Sequence, residues 1–421
     1  MNFLEAEEYL LSLGNEVAAM KLGLESIRTL LKGLGDPQTN YLKVQVAGTN
    51  GKGSVCAFLD SICRAARLKV GLYTSPHLVS ITERISINGE EISEDEFARL
   101  AARVRETCDQ LVASGDLPSI PTFFEQVTAI ALLAFAEAKV QLAILETGLG
   151  GRLDATTAAN AEMCAITRID LDHQQYLGET IEEIAAEKAS IIHPRSSVVI
   201  GEQQRGAMRV ILDRCGEVRV EPALTGRNTS HSQSVPLQLG LKGSHQIENA
   251  AIGVALAEQL RPFFEISADN IRAGLKNARH PGRLEYQGRY LFDGAHNVGG
   301  ATALAAYLDE FEARPITLVF GAMDDKPVGD MLELLIPRAE SIVLTQPSNE
   351  RSLGYDELLK AMPTGVTNEK AFATDTVAKA IDIAQAISPE DGIILVTGSL
   401  YLVGEVKKLL AQAEHGLRSE I

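Results

Sequence analysis

A glycine-rich stretch with one lysine is the feature of this sequence best suited to chemistry. It reads VAGTNGKGS over residues 46–54, after an apolar run that predicts a strand and before a segment with helical periodicity. Glycines let the backbone wrap around phosphate oxygens, the lysine neutralises charge, and the following helix directs its positive end at them. The spacing differs from the usual Walker pattern, since Gly53 follows the lysine. A plain glycine-rich turn is the alternative, but the flanking strand and helix favour an ATP-binding loop.

Acidic and histidine side chains follow two other predicted strands. Glu146 ends the apolar run LAILE, and the segment DLDH at residues 170–173 follows a second apolar run. The carboxyl ends of parallel strands meet at one edge of a sheet, so Glu146 and His173 should lie near the phosphate loop. A carboxylate and an imidazole there could hold Mg²⁺, which completes its shell with phosphate oxygens and water. Taken singly, Glu146 could be a salt-bridge partner and His173 a capping or core histidine.

Other candidate residues have stronger structural alternatives. Lys188 lies in an apolar helical segment, where a lysine usually extends its ammonium to solvent. The segment DGAHN at residues 293–297 follows an apolar strand, so it is either a turn or part of a site at a strand end. His77 and Lys326 lie in loops that also follow predicted strands.

Strands and helices alternate along most of the chain, which predicts an α/β fold with a parallel sheet covered by helices on both faces. We expect an N-terminal domain of the P-loop ATPase type, with a mainly parallel sheet, over residues 1–285. A smaller Rossmann-like α/β domain should follow over residues 286–421, because the alternation starts again near residue 290. Residues 223–244 are rich in Ser, Thr, Gln and Gly and predict a small β extension.

Bulk composition limits the classes of function. The chain has 421 residues and a net charge of −17 at pH 7, which disfavours a uniformly basic nucleic-acid-binding surface. Its five cysteines form no C-x-x-C pair and no zinc-type cluster. The apolar runs are too short to span a membrane. These features predict a reduced cytoplasmic protein without nucleic-acid or membrane partners, and the acidic surface fits a monomer.

A series of motifs, in combination, resembles those of the folylpolyglutamate synthase and dihydrofolate synthase family, within the Mur ligase superfamily. The resemblance runs from about residue 20 to about residue 405. The motifs are VAGTNGKGS (46–54), TSPHL (74–78), TFFE (122–125), ETGLGGRLDAT (146–156), LDHQQYLGETIEEIAAEKASI (171–191), HQIENA (245–250), PGR (281–283), DGAHN (293–297) and GSLYLVGEV (398–406).

The resemblance implies roles for residues around ATP. The residues that match the family's ATP contacts are Gly51, Lys52, Gly53, Ser54, Asn249, Arg283 and Asp293, the last two at the domain junction. The residues that match its magnesium ligands are Ser75, Glu146 and His173, and we expect two ions. Lys188 matches the lysine that the family carries as a carbamate, and His296 is expected near the phosphates. Lys52, Lys188 and His296 are therefore the expected catalytic residues.

The resemblance also implies the other substrates. Two segments match those that bind dihydropteroate in the bifunctional bacterial enzymes: Thr122, Phe123 and Phe124, and Leu153, Asp154 and Ala155. Glutamate is expected between the domains, largely on the C-terminal one.

The expected activity is an ATP-dependent ligation of L-glutamate to dihydropteroate and to the γ-carboxylate of folates through an acyl phosphate. The alternatives are a folylpolyglutamate synthase that refuses dihydropteroate, a cell-wall type of Mur ligase, and a nucleotide-dependent switch without ligation. The segment at residues 122–125 and the two-domain length disfavour the cell-wall ligase. The strand-end loops at residues 293–297 and 321–326 exceed what a switch requires.

Overall fold

The structure is a computed structural model that describes residues 1–14, 23–226, 238–363 and 371–419. It contains two compact units. The first comprises Met1–Pro76, Ile81–Gly240 and Ile247–Arg279, and the second comprises His77–Ser80, Leu241–Gln246 and His280–Ile421. The domain division expected between residues 285 and 286 stays a prediction.

The first unit is built on an eight-stranded sheet of order β4-β3-β2-β5-β1-β6-β7-β8. In this spatial order, the strands β2, β5, β1, β6, β7 and β8 pair in parallel. Strand β3 pairs antiparallel with both β2 and β4, and β4 is the edge strand. The strands are β1 Leu42–Ala47, β2 Val70–Tyr73, β3 Ile85–Ile87, β4 Glu90–Glu91, β5 Leu142–Glu146, β6 Met163–Ile166, β7 Ser197–Ile200 and β8 Ala223–Leu224. Strand β1 lies between β5 and β6, and this central position explains its almost continuous burial.

Helices pack on this sheet through apolar clusters, and two of these clusters lie on the same face, because Leu145 in one and Cys164 in the other both pair with Gln45 of β1. Helices α1, α2, α4 and α5 contribute to one cluster and α7 and α8 to the other. The helices are α1 Phe3–Ser12, α2 Glu25–Gly33, α3 Lys52–Ala65, α4 Glu94–Ser114, α5 Phe123–Glu137, α6 Gln174–Leu177, α7 Ile181–Ala189, α8 Arg205–Val218, α9 Gln246–Leu260 and α10 Ala268–Asn277. Short 3₁₀ helices occupy Pro37–Asn40, Ile81–Arg84 and Ala155–Ala159.

The second unit holds a six-stranded sheet of order β13-β12-β11-β14-β10-β9, in which only β9 is antiparallel. The chain moves outward from β11 to β13 and returns to β14 between β11 and β10, so the strand order reverses there. The strands are β9 Glu285–Gln287, β10 Tyr290–Phe292, β11 Ile316–Phe320, β12 Ser341–Thr345, β13 Ala371–Thr374 and β14 Ile393–Thr397. The helices are α11 Val298–Phe311, α12 Val328–Leu335, α13 Tyr355–Lys360, α14 Val377–Ile387 and α15 Leu400–Ser419, with a 3₁₀ turn at Ile336–Arg338.

The predicted α/β class, with a mainly parallel sheet in the N-terminal part and a second α/β sheet after it, is confirmed. Helix α3 begins at Lys52, inside the predicted phosphate loop, because Gly51 caps the helix. Of the β extension expected over residues 223–244, the structure describes β8, and residues 227–237 lie outside the described part. No helix within the described ranges is long and apolar enough to cross a membrane.

Helices α3 and α10 approach each other closely in the first unit. A methyl group at Gly274 of α10 would overlap the Cα of Ile62 in α3 and would lie 2.5 Å from the backbone nitrogen of that residue. Backbone atoms inside a helix cannot move aside as a flexible side chain can. Glycine at position 274 is therefore a requirement of helix packing, and α3 is the helix that follows the phosphate loop.

Gly274→Ala and Gly216→Ala form a matched pair, because both glycines lie inside helices and a Cβ at Gly216 would meet nothing within 4 Å. Alanine favours a helix by about 1 kcal/mol over glycine, whereas overpacking costs about 1–3 kcal/mol. We expect Gly274→Ala to lower the free energy of unfolding by about 1–3 kcal/mol and Gly216→Ala to leave it unchanged or raise it. Urea denaturation followed by circular dichroism measures both, and equal effects would contradict the packing of α3 on α10.

Candidate active site

The phosphate loop turns sharply between β1 and α3, and two glycines make the turn. Gly51 has a φ of 91° and Gly48 a φ of 154°, values that L side chains rarely adopt. A Cβ at Gly48 would overlap Thr167 Oγ1, and one at Gly51 would overlap Asn249 Oδ1. Asn249, which was expected to contact ATP, therefore lies directly against the loop. Gly53 and Ser54 lie buried in the first turn of α3, where backbone N–H groups are available to an anion.

The segment after β6 holds the phosphate loop in shape. The backbone N–H groups of Thr49 and Asn50 both donate to the carbonyl of Arg168, at 2.9 and 3.1 Å. Thr167 Oγ1 donates to the carbonyl of Asn50 at 2.8 Å, and Asn50 Nδ2 donates to Asp170 Oδ2 at 2.9 Å. These bonds join the loop to the segment after β6, so the protein's own hydrogen bonds support this shape of the loop.

Two lysines reach the loop from different elements. Lys52 Nζ donates to the carbonyl of Thr49 at 3.2 Å, and Lys188 Nζ, from α7, donates to the carbonyl of Gly48 at 2.9 Å. The Lys188 side chain is buried rather than extended to solvent. Burial, and then the charge of Lys52, lower the pKa of Lys188 to about 7, against the opposing effect of Asp172. The uncharged amine is therefore well populated at neutral pH, and this gives a nucleophilic nitrogen beside the phosphate loop.

The expected metal ligands follow strands on either side of β1. Glu146 is the last residue of β5 and is buried, and its Oε2 accepts a hydrogen bond of 3.3 Å from the backbone N–H of Ser75. Ser75 Oγ is buried and has no hydrogen-bond partner among the described residues. His173 has a left-handed backbone and caps α6 in the loop after β6. The order β5-β1-β6 places the loops that carry Glu146 and His173 on the two sides of the phosphate loop.

Acidic, histidine and cysteine side chains do not by themselves build a metal site in the part of the chain that the structure describes. There, no three or more His, Cys, Asp or Glu side chains form a group that could hold a metal ion. The expected set contains two such side chains and one hydroxyl, which suits a cation that takes its other ligands from phosphate and water. The orphaned Ser75 Oγ fits this arrangement.

The first of the two segments expected to bind the acceptor lies against the loop that carries the second. A Cβ at Gly148 would come 2.6 Å from Phe124 Cζ, so the aromatic ring covers the start of the loop that follows β5. The rings of Phe124 and Tyr73 lie 6.2 Å apart between centroids. Phe123 is buried, with the Arg84 guanidinium 5.4 Å from its ring centroid. The Thr122 side chain is committed to capping α5, in a reciprocal capping box with Glu125.

Asp154 organises the second acceptor segment from within. Its carboxylate accepts hydrogen bonds from the backbone N–H groups of Gly148, Leu149 and Thr156. Burial raises the pKa of Asp154, and these hydrogen bonds oppose the rise. Ala155 is buried and Leu153 is partly exposed.

Within the second unit, Arg283 and Asp293 come together at the end of β10. The carboxylate of Asp293 accepts from the backbone N–H groups of Leu284 and Ala295, each at 3.0 Å. Burial raises the pKa of Asp293, and the charge of Arg283 opposes that rise. His296 Nδ1 lies 2.8 Å from the carbonyl of Gly294. Its neighbour Asn297 caps α11, so the segment DGAHN is both a turn and a helix start.

A polar cluster in the second unit was not predicted from the sequence, apart from Asp325 and Lys326 in the strand-end loop at residues 321–326. Asp325 forms ion pairs with Lys326 at 3.2 Å and with Arg351 at 2.8 Å. Three hydroxyls in the unit are buried and have no hydrogen-bond partner among the described residues: Thr345 Oγ1, Ser352 Oγ and Thr397 Oγ1. Thr345 and Thr397 each end an apolar strand, and that position was the signal available in the sequence.

Profiles of two protein families match the chain. The Mur ligase middle domain matches residues 46–257, and the Mur ligase glutamate ligase domain matches residues 282–400. The first match covers the phosphate loop and the expected metal ligands. The second covers the segment at residues 293–297 and the polar cluster around Lys326.

Known proteins resemble the chain over almost its full length. A probable bifunctional folylpolyglutamate synthase/dihydropteroate synthase of Haloferax volcanii is 36% identical, over 98% of this chain and 51% of the relative. The chain thus spans about half the length of this relative. The dihydrofolate synthase/folylpolyglutamate synthase of Bacillus subtilis is 35% identical, over 93% of this chain and 95% of the relative.

A solved structure agrees with these sequences. It is a bifunctional folylpolyglutamate synthase/dihydrofolate synthase of Yersinia pestis complexed with AMPPNP and a manganese ion. Its TM-score is 0.84 at 28% identity, over 98% of both chains. The chain therefore belongs to the folylpolyglutamate synthase/dihydrofolate synthase family of Mur ligases, as its motifs predicted.

Proposed function

We propose that the protein is an ATP-dependent ligase that adds L-glutamate to dihydropteroate and to the γ-carboxylate of reduced folates, with release of ADP and phosphate. The observation that carries this proposal is the position of two loops in the first unit. The phosphate loop follows β1 and the acceptor segment follows β5, two parallel neighbours joined at this edge by a 3.0 Å hydrogen bond from Thr147 N–H to the Val46 carbonyl. A phosphoryl donor and a carboxylate acceptor would thus bind side by side.

Ligation requires activation, because a carboxylate is a poor electrophile toward an amine. An acceptor carboxylate oxygen attacks the γ-phosphorus of ATP, forming an acyl phosphate and releasing ADP. The α-amine of glutamate then attacks the acyl carbon, a proton leaves the nitrogen, and phosphate departs. Lys52 and the N–H groups of residues 51–54 would stabilise the negative charge on the transferring phosphoryl group. Arg283, Asp293, Asn249 and His296 are proposed as further contacts of the nucleotide.

Ser75, Glu146 and His173 are the residues we propose to hold Mg²⁺. The cation would neutralise phosphate charge when bound. Glu146 supplies a hard carboxylate ligand, and the buried, orphaned Ser75 Oγ is suited to a cation or to its bound water. The presence of two ions is part of the proposal.

Lys188 is proposed to act as a carbamate. Its neutral amine would attack the carbon of CO₂, lose a proton to water and become an anionic N-carboxylate. The lowered pKa of about 7 makes the amine available for this reaction. The product would replace a cation that Lys52 disfavours with an anion that Lys52 stabilises.

The acceptor segment suits an aromatic acid. Phe123 and Phe124 supply apolar ring surface, and residues 153–155 belong to the loop whose Gly148 lies against Phe124. The name of the Haloferax volcanii relative joins a folylpolyglutamate synthase with a dihydropteroate synthase. The presence of a dihydropteroate synthase in the same protein as the relative's ligase supports dihydropteroate as an acceptor of the present chain.

Glutamate is proposed to bind the second unit at the polar cluster around Lys326. Lys326 and Arg351 offer cations for its carboxylates, Asp325 offers a carboxylate for its ammonium, and the three buried hydroxyls offer further hydrogen bonds. Thr397 ends β14, beside the point where the strand order reverses and where ligands of doubly wound sheets bind. The description of the matching profile as a glutamate ligase domain supports this assignment.

The cysteines bear on the compartment. All five are buried free thiols, which fits a reducing compartment such as the cytoplasm. The monomeric state stays a prediction.

Glutamate-dependent release of ADP tests the function directly. With Mg²⁺-ATP, we expect turnover with both dihydropteroate and a reduced folate, and a loss of about 100-fold or more in Lys52→Ala, because that substitution removes a charge from the transition state. Turnover with the folate alone would favour a folylpolyglutamate synthase that refuses dihydropteroate. It would also contradict the proposal that residues 122–124 and 153–155 bind dihydropteroate. If ADP release depends on glutamate with neither dihydropteroate nor the reduced folate, the proposal is overturned.

Labelling with ¹³CO₂ tests the carbamate. At a fixed concentration of dissolved CO₂, we expect a protein-bound carbamate signal in the ¹³C NMR spectrum that grows as the pH rises from about 6 to 8, because only the neutral amine reacts. Lys188→Met should abolish the signal. Lys43→Met is the matched control, since Lys43 is also buried but pairs with Glu162. A signal that survives in Lys188→Met would contradict the assignment.

A further inference from the structure

A glutamine in the central strand of the first unit has no counterpart in the function described so far. Gln45 lies in β1 between Val44 and Val46, and only 2% of its surface is exposed. Its Nε2 lies within hydrogen-bond distance of three hydroxyls: Thr157 Oγ1 at 2.8 Å, Thr156 Oγ1 at 2.9 Å and Thr147 Oγ1 at 3.3 Å. A buried polar side chain in a central strand is costly to desolvate, and these bonds compensate for it.

The direction of these hydrogen bonds follows from what the hydroxyls do elsewhere. Each hydroxyl has a single hydrogen. Thr156 Oγ1 donates its hydrogen to Asp154 Oδ1, and Thr157 Oγ1 donates its hydrogen to the carbonyl of Gly151 at 2.7 Å. Both oxygens can therefore only accept from position 45, so that position must supply N–H donors.

Asp154 extends this network to the backbone of the loop at residues 147–157, which we name the acceptor loop. Its carboxylate accepts from the N–H groups of Gly148 and Leu149, both at 2.9 Å, in addition to Thr156. A continuous chain of bonds thus runs from the strand through the hydroxyls and the carboxylate to the start of the loop. Polar networks of this kind hold one geometry when every member is satisfied.

The acceptor loop contacts two elements of the proposed site. Gly148 lies against the Cζ edge of the Phe124 ring. On the other side, the N–H of Arg152 donates to the carbonyl of Glu187 at 3.1 Å, and a Cβ at Gly151 would lie 3.0 Å from the carbonyl of Lys188. The shape of the loop therefore affects both the aromatic segment and the end of α7 that carries Lys188.

We propose that Gln45 is a positioning residue that fixes the acceptor loop, and so the placement of residues 153–155 against the acceptor. This inference rests on the proposed function for its link to dihydropteroate. Gln45 acts through Thr156, Thr157 and Asp154, and it is not placed among the residues that contact the reacting atoms.

Gln45→Glu tests the donor function at constant size, because the amide has two hydrogens to donate, whereas a carboxyl has one when protonated and none when ionised. It would place carboxylate oxygens against hydroxyl oxygens and force the threonines to turn away from Asp154 and Gly151. We expect the KM for dihydropteroate to rise by about tenfold, the size expected for one or two lost buried hydrogen bonds, with the KM for ATP within about twofold of wild type.

Threonine variants test the same network from its other end. Thr156→Val removes the hydroxyl at nearly constant shape and should also raise the KM for dihydropteroate, whereas Thr156→Ser keeps the hydroxyl and should restore it. Lys43→Met is the control for general damage, since Lys43 lies two positions away on the same face of β1 and bonds to Glu162 instead. A rise of both KM values in Gln45→Glu, equal to that in Lys43→Met, would overturn the positioning role.

Hydrogen exchange judges the inference independently of activity. We expect the amides of residues 147–157 to lose protection in Gln45→Glu while those of β5 and α3 keep it. Unchanged protection of the loop would overturn the proposal even in an active enzyme. If the wild type shows no glutamate-dependent turnover, the proposed function fails, and the exchange result still decides whether Gln45 positions the loop.

Discussion

The site depends on one backbone turn that only glycine allows. At Gly48 and Gly51 the chain reverses between β1 and α3, and neighbouring side chains fill the space that a Cβ would need. Thr167 occupies one of these spaces and Asn249 the other. Because these glycines have no Cβ, the side chains of Thr167 and Asn249 can pack directly against the loop. This explains how an amide from α9 and a hydroxyl following β6 come to lie directly against a loop from β1.

The turn also brings two lysine side chains together at the phosphate loop. It directs the carbonyls of Gly48 and Thr49 toward Lys188 and Lys52, and the two ammonium groups are close enough for one to lower the pKa of the other. Two cations at a buried loop repel each other in spite of the opposing charge of Asp172, and bound phosphate would relieve this repulsion. A carbamate on Lys188 would relieve it in another way, so the same constraint connects nucleotide binding with the chemistry of that lysine.

Much of this arrangement follows from local patterns in the sequence. The alternation of apolar strands and helices predicted the parallel sheet, and the glycines and lysine after β1 predicted the phosphate loop, because these are patterns of neighbouring residues. The place of Glu146 near that loop was predicted from its position at the end of a parallel strand. The position of Gln45 against Thr156 and Thr157 joins residues more than a hundred positions apart. No local periodicity encodes such a bond. The ion pair of Asp325 with Arg351 could not be predicted for the same reason. Thr345 and Thr397, in contrast, end parallel strands, a position that often contributes to ligand sites.

The acyl phosphate is the central claim, because it separates a ligase from a nucleotide-dependent switch. Dihydropteroate labelled with ¹⁸O in its carboxylate, incubated with Mg²⁺-ATP and glutamate, tests it directly by mass spectrometry of the released phosphate. Attack of the carboxylate on the γ-phosphorus predicts one ¹⁸O atom in each phosphate released. Phosphate that contains oxygen from the solvent, with the label retained in the acceptor, would contradict the account.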